Sequence, residues 1–160
     1  MTNGANGQTA GTNPADAVSR DIEGYGTRMI EVNQLETWPS ARPDRPYLVH
    51  EEMPEFTCLC PRSGFPDFAT LVLDYVPGPS VVELKSLKLY INGFRDRPIS
   101  HEEAVNEIGE TLVELLQPRR LRLIGRFGRR GNIETVVTVA FDERRGWTAD
   151  IPSTGSGGTS

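Results

Sequence analysis

The sequence predicts an α+β domain, an antiparallel sheet carrying two helices on one face. Three observations point there: a period-two run at Phe68–Val76, two consecutive helical patterns ending at Pro118, and a hairpin pattern from Leu121 to Phe141. Helices grouped between runs of strands fit α+β rather than a parallel, alternating architecture.

Taken in order, Tyr47 to Cys60 reads as extended chain, interrupted at Pro54 and closed by Cys60-Pro61. Phe68–Val76 sets Ala69, Leu71, Leu73 and Tyr75 on one face and Phe68, Thr70, Val72 and Asp74 on the other, and ends at Pro77-Gly78-Pro79. The linker Arg62 to Asp67 is too long for a two-residue turn, which marks it as a candidate functional loop. Val81 and Val82 lead into a helix on which Leu84, Leu87 and Tyr90 recur, with Lys85 and Lys88 one turn apart on a single face. Ser100 and Glu103 form a capping box for a second helix carrying Ala104, Ile108, Leu112, Leu115 and Leu116. In the hairpin, Leu121, Leu123 and Phe127 alternate with Arg120, Arg122 and Arg126. Gly128 to Asn132 is the expected turn, and Ile133, Val137, Val139 and Phe141 form the apolar side of the returning strand. The expected organisation is an arm over residues 1–24, one domain over 25–150 and a Gly/Ser/Thr tail over 151–160, both ends too poor in large apolar side chains to order themselves. Four strands leave open sheet edges, and joining them in a cyclic homo-oligomer is the natural remedy.

A net charge of −5 argues against a partner that is a nucleic-acid backbone, which calls for a basic footprint. No apolar run reaches the roughly 18–20 residues that cross a bilayer, and no signal-peptide pattern opens the chain, so a cytoplasmic protein with a small-molecule partner is expected. Two cysteines, Cys58 and Cys60, cannot build a disulfide framework, so their importance is chemical.

Cys60 stands at a strand end beside a proline, at the start of the loop that holds Asp67. A thiol there can attack a carbon electrophile if its pKa is lowered, with Asp67 moving protons; otherwise the pair is a small strand residue and a loop aspartate. Cys58 projects from the same face, farther from the loop, and is expected to pack. A cationic pair at a helix start, Lys85 and Lys88, suits phosphate through side-chain charge and free backbone N–H groups, although exposed lysines also occur without any ligand. Glu102, after His101 at the second helix start, either complements the helix dipole or accepts hydrogen bonds from a guanine-like ring edge, which Glu83 can also serve. No metal site is expected: Cys58, Cys60 and His101 lack a ready fourth ligand, His50 being poorly placed. The six arginines from Arg119 to Arg130 read as a solvated strand face and turn.

Together, Phe56-Thr57-Cys58-Leu59-Cys60-Pro61, Gly64, Pro66-Asp67-Phe68-Ala69-Thr70, Glu83 to Tyr90, Phe94-Arg95 and His101-Glu102 resemble a known family. It is the family of NADPH-dependent nitrile reductases that convert 7-cyano-7-deazaguanine to 7-aminomethyl-7-deazaguanine on the route to queuosine, in its short single-domain branch. The resemblance implies that Cys60 forms a covalent thioimide with the nitrile and that Asp67 is the proton donor. It implies substrate binding at Val82, Glu83, Leu84, His101 and Glu102, and NADPH binding at Lys85, Ser86 and Lys88. It further implies a tunnelling fold, with sheets of several subunits joined in a barrel, active sites between subunits, and a decamer of two pentamers. Cys58 departs from the family, where a serine or another small residue is common. Two rivals remain: an amidinotransferase relative that shares the thioimide without NADPH, and a non-catalytic purine- or pterin-binding oligomer.

Overall fold

The computed structural model describes residues 26, 28–31 and 33–149. The expected N-terminal arm and Gly/Ser/Thr tail lie outside them. The compact unit that carries the sheet begins at Gln34. Its elements are β1 (Thr37–Pro39), β2 (Val49–Leu59), β3 (Pro66–Val76), β4 (Ser80–Val82), α1 (Leu84–Asn92), α2 (His101–Leu116), β5 (Arg120–Arg130), β6 (Ile133–Asp142) and β7 (Gly146–Thr148). The α+β expectation holds, with an antiparallel five-stranded sheet in the order β2-β3-β5-β6-β7 and a separate β1-β4 ribbon. The sequence reading missed β1 and β7, because three-residue strands are too short to show a period.

One core holds the unit together. Ala69, Leu71, Leu73 and Tyr75 of β3 pair with Phe127, Gly125, Leu123 and Leu121 of β5, so these residues share a face. Onto that face pack Leu87 and Ile91 of α1, and Ala104, Val105, Ile108, Leu112 and Leu116 of α2. Both helices therefore bury against the same side of the sheet. Gly125 is required beneath α2, since a Cβ there would meet Val105 Cγ2 at 2.5 Å. On α1 the apolar stripe runs through Leu87 and Ile91 rather than starting at Leu84, which is 64% exposed.

Two other local expectations change. The β2 ladder slips between Met53 and Phe56, around Pro54, which has no N–H to donate, so the strand continues through a bulge. The β5–β6 turn is the pair Gly131-Asn132, not Gly128 to Asn132. Both residues have positive φ (53° and 72°), the backbone of the two-residue turn whose twist matches its flanking strands.

Candidate active site

Cys60 follows β2 directly and is partly exposed. Its N–H donates to the Phe65 carbonyl at 2.8 Å and its carbonyl accepts from Gly64 N–H at 2.8 Å, so residues 61–64 fold back over the sulfur. Gly64 makes the reversal at φ +71°, where a side chain would be strained. The loop thereby lowers the Cys60 pKa. A hydrogen bond from the Ser63 side chain is the largest cause, followed by the backbone N–H groups of Ser63 and Arg62, which outweigh burial and the negative charge of Asp67.

Cys58 contrasts with it. It is fully buried, its thiol lies 3.9 Å from the Ile99 carbonyl, and burial pushes its pKa up to about 11. Brief alkylation of the native protein near pH 8 is therefore expected to label Cys60 and spare Cys58, as read by peptide mass mapping. Faster labelling of Cys58 would reverse the assignment.

Asp67 is opposite Cys58 in the β2–β3 register, so its side chain projects to the face that Cys58 and Cys60 share. It is 6% exposed. Its carboxylate is held from two sides: His101 Nε2 lies 3.2 Å from Oδ2, and the Arg130 guanidinium reaches Oδ1. The His101 ring stacks on Phe127, with centroids 3.9 Å apart and planes at 11°. The link between Arg97 and Ile99 brings His101 there. Leu59 N–H donates to the Arg97 carbonyl, Ile99 N–H donates to the Leu59 carbonyl, and Pro98 bridges Leu59 in parallel. This hook pins the start of α2 beside the end of β2. The capping box forms as expected, with Ser100 Oγ accepting from Glu103 N–H at 3.1 Å, and Glu102 projects outward, its carboxylate without a partner among the described residues.

The octet lies elsewhere in the same chain. Val82 is buried and its N–H donates to the Tyr75 hydroxyl, placing the start of α1 near the far end of β3. From Asp67 to Tyr75 the strand runs about 26 Å at ~3.3 Å per residue. Glu83 caps α1: its carboxylate accepts from Lys85 N–H at 2.9 Å and Ser86 N–H at 2.7 Å, and these bonds lower its pKa. The helix start therefore does not offer those two N–H groups to phosphate, which corrects that expectation. Ser86 is buried, its hydroxyl donating to the Glu83 carbonyl and accepting from Glu36 N–H. Lys85 and Lys88 are exposed, as is Leu84. One chain thus gathers Cys60, Asp67 and His101, with Glu102 next to His101 at the helix start, and anchors Val82 toward the other end of β3.

Three participants escaped the sequence reading: Ser63, whose hydroxyl polarises the thiol; Phe127, taken only as core; and Arg130, taken as a solvated arginine. The loop position of Ser63 offered a weak signal. The other two depend on tertiary placement.

The family model described as QueF-like protein matches residues 66–146. A protein of Aquifex aeolicus named NADPH-dependent 7-cyano-7-deazaguanine reductase is 56% identical over 122 residues, covering 76% of this chain and 95% of the relative. A protein of the same name from Thermosynechococcus vestitus is 54% identical over 115 residues, covering 72% and 87%. A solved archaeosine synthase QueF-Like shares the fold at TM-score 0.57 and 21% identity, over 62% of this chain and 97% of that one. Among the described residues, no helix is long and apolar enough to cross a membrane. At half identity or more along nearly the whole length of such relatives, the chain belongs to the QueF-like family, on the branch of the NADPH-dependent 7-cyano-7-deazaguanine reductases.

Proposed function

We propose that this chain is a cytoplasmic NADPH-dependent 7-cyano-7-deazaguanine reductase that forms 7-aminomethyl-7-deazaguanine in queuosine biosynthesis. The observation that carries this reading is a thiol of lowered pKa sharing a hairpin face with a buried, doubly held carboxylate, in a chain so similar to named reductases. The Cys60 thiolate adds to the nitrile carbon: the S–C bond forms, a π pair moves to nitrogen, and nitrogen takes a proton from Asp67, giving the thioimide. NADPH, when bound, supplies the hydride for each of the two reductions that take a nitrile to an amine. Between them the C–S bond breaks and Cys60 leaves as thiolate. His101, fixed against Phe127, holds Asp67 and can return its proton between steps. Glu102 has the free acceptor pair that a guanine-like edge requires.

Val82, Glu83 and Leu84 complete the substrate pocket, and Lys85, Ser86 and Lys88 serve the cofactor. Lys85 and Lys88 meet its phosphates by side-chain charge, while Glu83 and Ser86 hold the helix start in place. Val82 is anchored at Tyr75, toward the other end of β3 from Asp67, and a neighbouring subunit brings these residues to Cys60. That separation supports the tunnelling-fold assembly, with active sites between subunits and a decamer of two pentamers. So do the open edges of β2 and β7 and the exposed Trp38, Ile133, Val136 and Trp147. The archaeosine synthase QueF-Like, at 21% identity, shares the fold alone and lends the amidinotransferase rival no support.

The deciding assay follows NADPH absorbance with 7-cyano-7-deazaguanine as substrate. Two NADPH consumed per amine formed is the expected stoichiometry, and product formed with ammonia but without NADPH would make the amidinotransferase correct.

A further inference from the structure

We propose that Arg130 is a positioning residue for the proton donor, aimed at Asp67 by a bulge in β5. This rests on the reductase reading above. The pairing of β5 with β6 goes from Phe127↔Thr135 to Arg130↔Ile133, so that two residues of β5, Gly128 and Arg129, stand against one of β6, Glu134. Thr135 and Ile133, two apart, share a face, so their partners Phe127 and Arg130 share it too. Strict alternation from Phe127 would have put Arg129 there and turned Arg130 to the outer face. The extra residue reverses that, as bulges beside functional sites do.

The aim has a specific result. The Arg130 guanidinium contacts both Asp67 Oδ1 and the carbonyl of Pro66, so it ties the carboxylate to the backbone that carries it. His101 takes the other oxygen, Oδ2. A carboxylate 6% exposed needs such partners to remain buried, and with one partner from β5 and one from α2 it has little freedom to rotate. Arg129 differs in every respect: it is 77% exposed in its side chain and pairs only with the exposed Glu134.

The test compares wild type, Arg130→Gln, Arg130→Lys and Arg129→Gln as full-length proteins, with thermal unfolding as the folding control. Wild type is assayed first for NADPH consumption and for the mass of the Cys60 adduct; absence of both overturns the reductase reading itself. Given an active wild type, Arg130→Gln is expected to lower kcat about tenfold to a hundredfold, the scale of a misplaced reacting group, with KM for NADPH within about twofold of wild type. Arg130→Lys, which keeps a cation within reach of Asp67, restores part of kcat, and Arg129→Gln matches wild type. A loss confined to KM for NADPH would make Arg130 a cofactor-phosphate contact and overturn the proposal, as would an unchanged kcat.

Discussion

Cys60→Ala is expected to abolish both the covalent adduct and turnover, while Cys58→Ala keeps them. The two thiols are two residues apart on one strand face, yet their surroundings drive them in opposite directions. The Ser63 hydroxyl and loop N–H groups favour the Cys60 thiolate, whereas burial pushes Cys58 up to about 11. Nitrile carbon is a weak electrophile toward hydride, so without the thioimide no bypass of useful rate exists. A loss of at least about 10⁴-fold in kcat is expected, the scale seen when an essential nucleophile is deleted. Incubation with 7-cyano-7-deazaguanine alone, followed by intact-mass measurement, should add one substrate mass to wild type and none to Cys60→Ala. Cys60 is only partly buried, so thermal unfolding should differ little between them. An alanine variant that still reduces the nitrile would remove covalent catalysis from this protein.

Asp67→Asn should reduce turnover by about 10² to 10⁴-fold, the usual contribution of a positioned general acid. The substitution keeps the shape and a hydrogen-bonding oxygen for His101 or Arg130 but removes the transferable proton. Addition of the thiol leaves charge on the nitrile nitrogen that must be neutralised, so adduct formation should slow together with steady-state turnover. Single-turnover mass spectrometry at several times distinguishes this from a defect in cofactor binding, which would leave adduct formation intact. An Asn variant within about threefold of wild type in both measurements would transfer the acid role to another group, with His101, 3.2 Å from the carboxylate, the first to test.

Much of the frame was legible because its signals are local. Period-two alternation located β3 and β5, the Ser100/Glu103 pair located the start of α2, and the proline after Cys60 marked a strand end opening into a loop. The preference for Cys60 over Cys58 was readable for the same reason, since a loop beside a strand end exposes a thiol. Local rules were silent where a contact depends on backbone placement. Glu83 caps its own helix, with two backbone N–H groups within 3 Å of its carboxylate, a role its spacing did not announce. Leu84 fitted the helical period, but the buried stripe of the helix runs through Leu87 and Ile91 and leaves Leu84 64% exposed.

The sequence by itself determined the fold class and the family and singled out Cys60 and Asp67 as candidates, because each rests on residue type and spacing along a continuous stretch. Tertiary structure alone decided which groups surround that acid. His101 reaches Asp67 because the segment from Arg97 to Ile99 is hooked onto Leu59, and Arg130 reaches it because one extra residue in β5 reverses the side a guanidinium points to. The same structure anchors Val82, at the head of the lysine-bearing octet, on Tyr75 toward the other end of β3 from Asp67. Strand spacing is the physical reason: about 26 Å of β3 lies between Asp67 and Tyr75, the residue that anchors Val82.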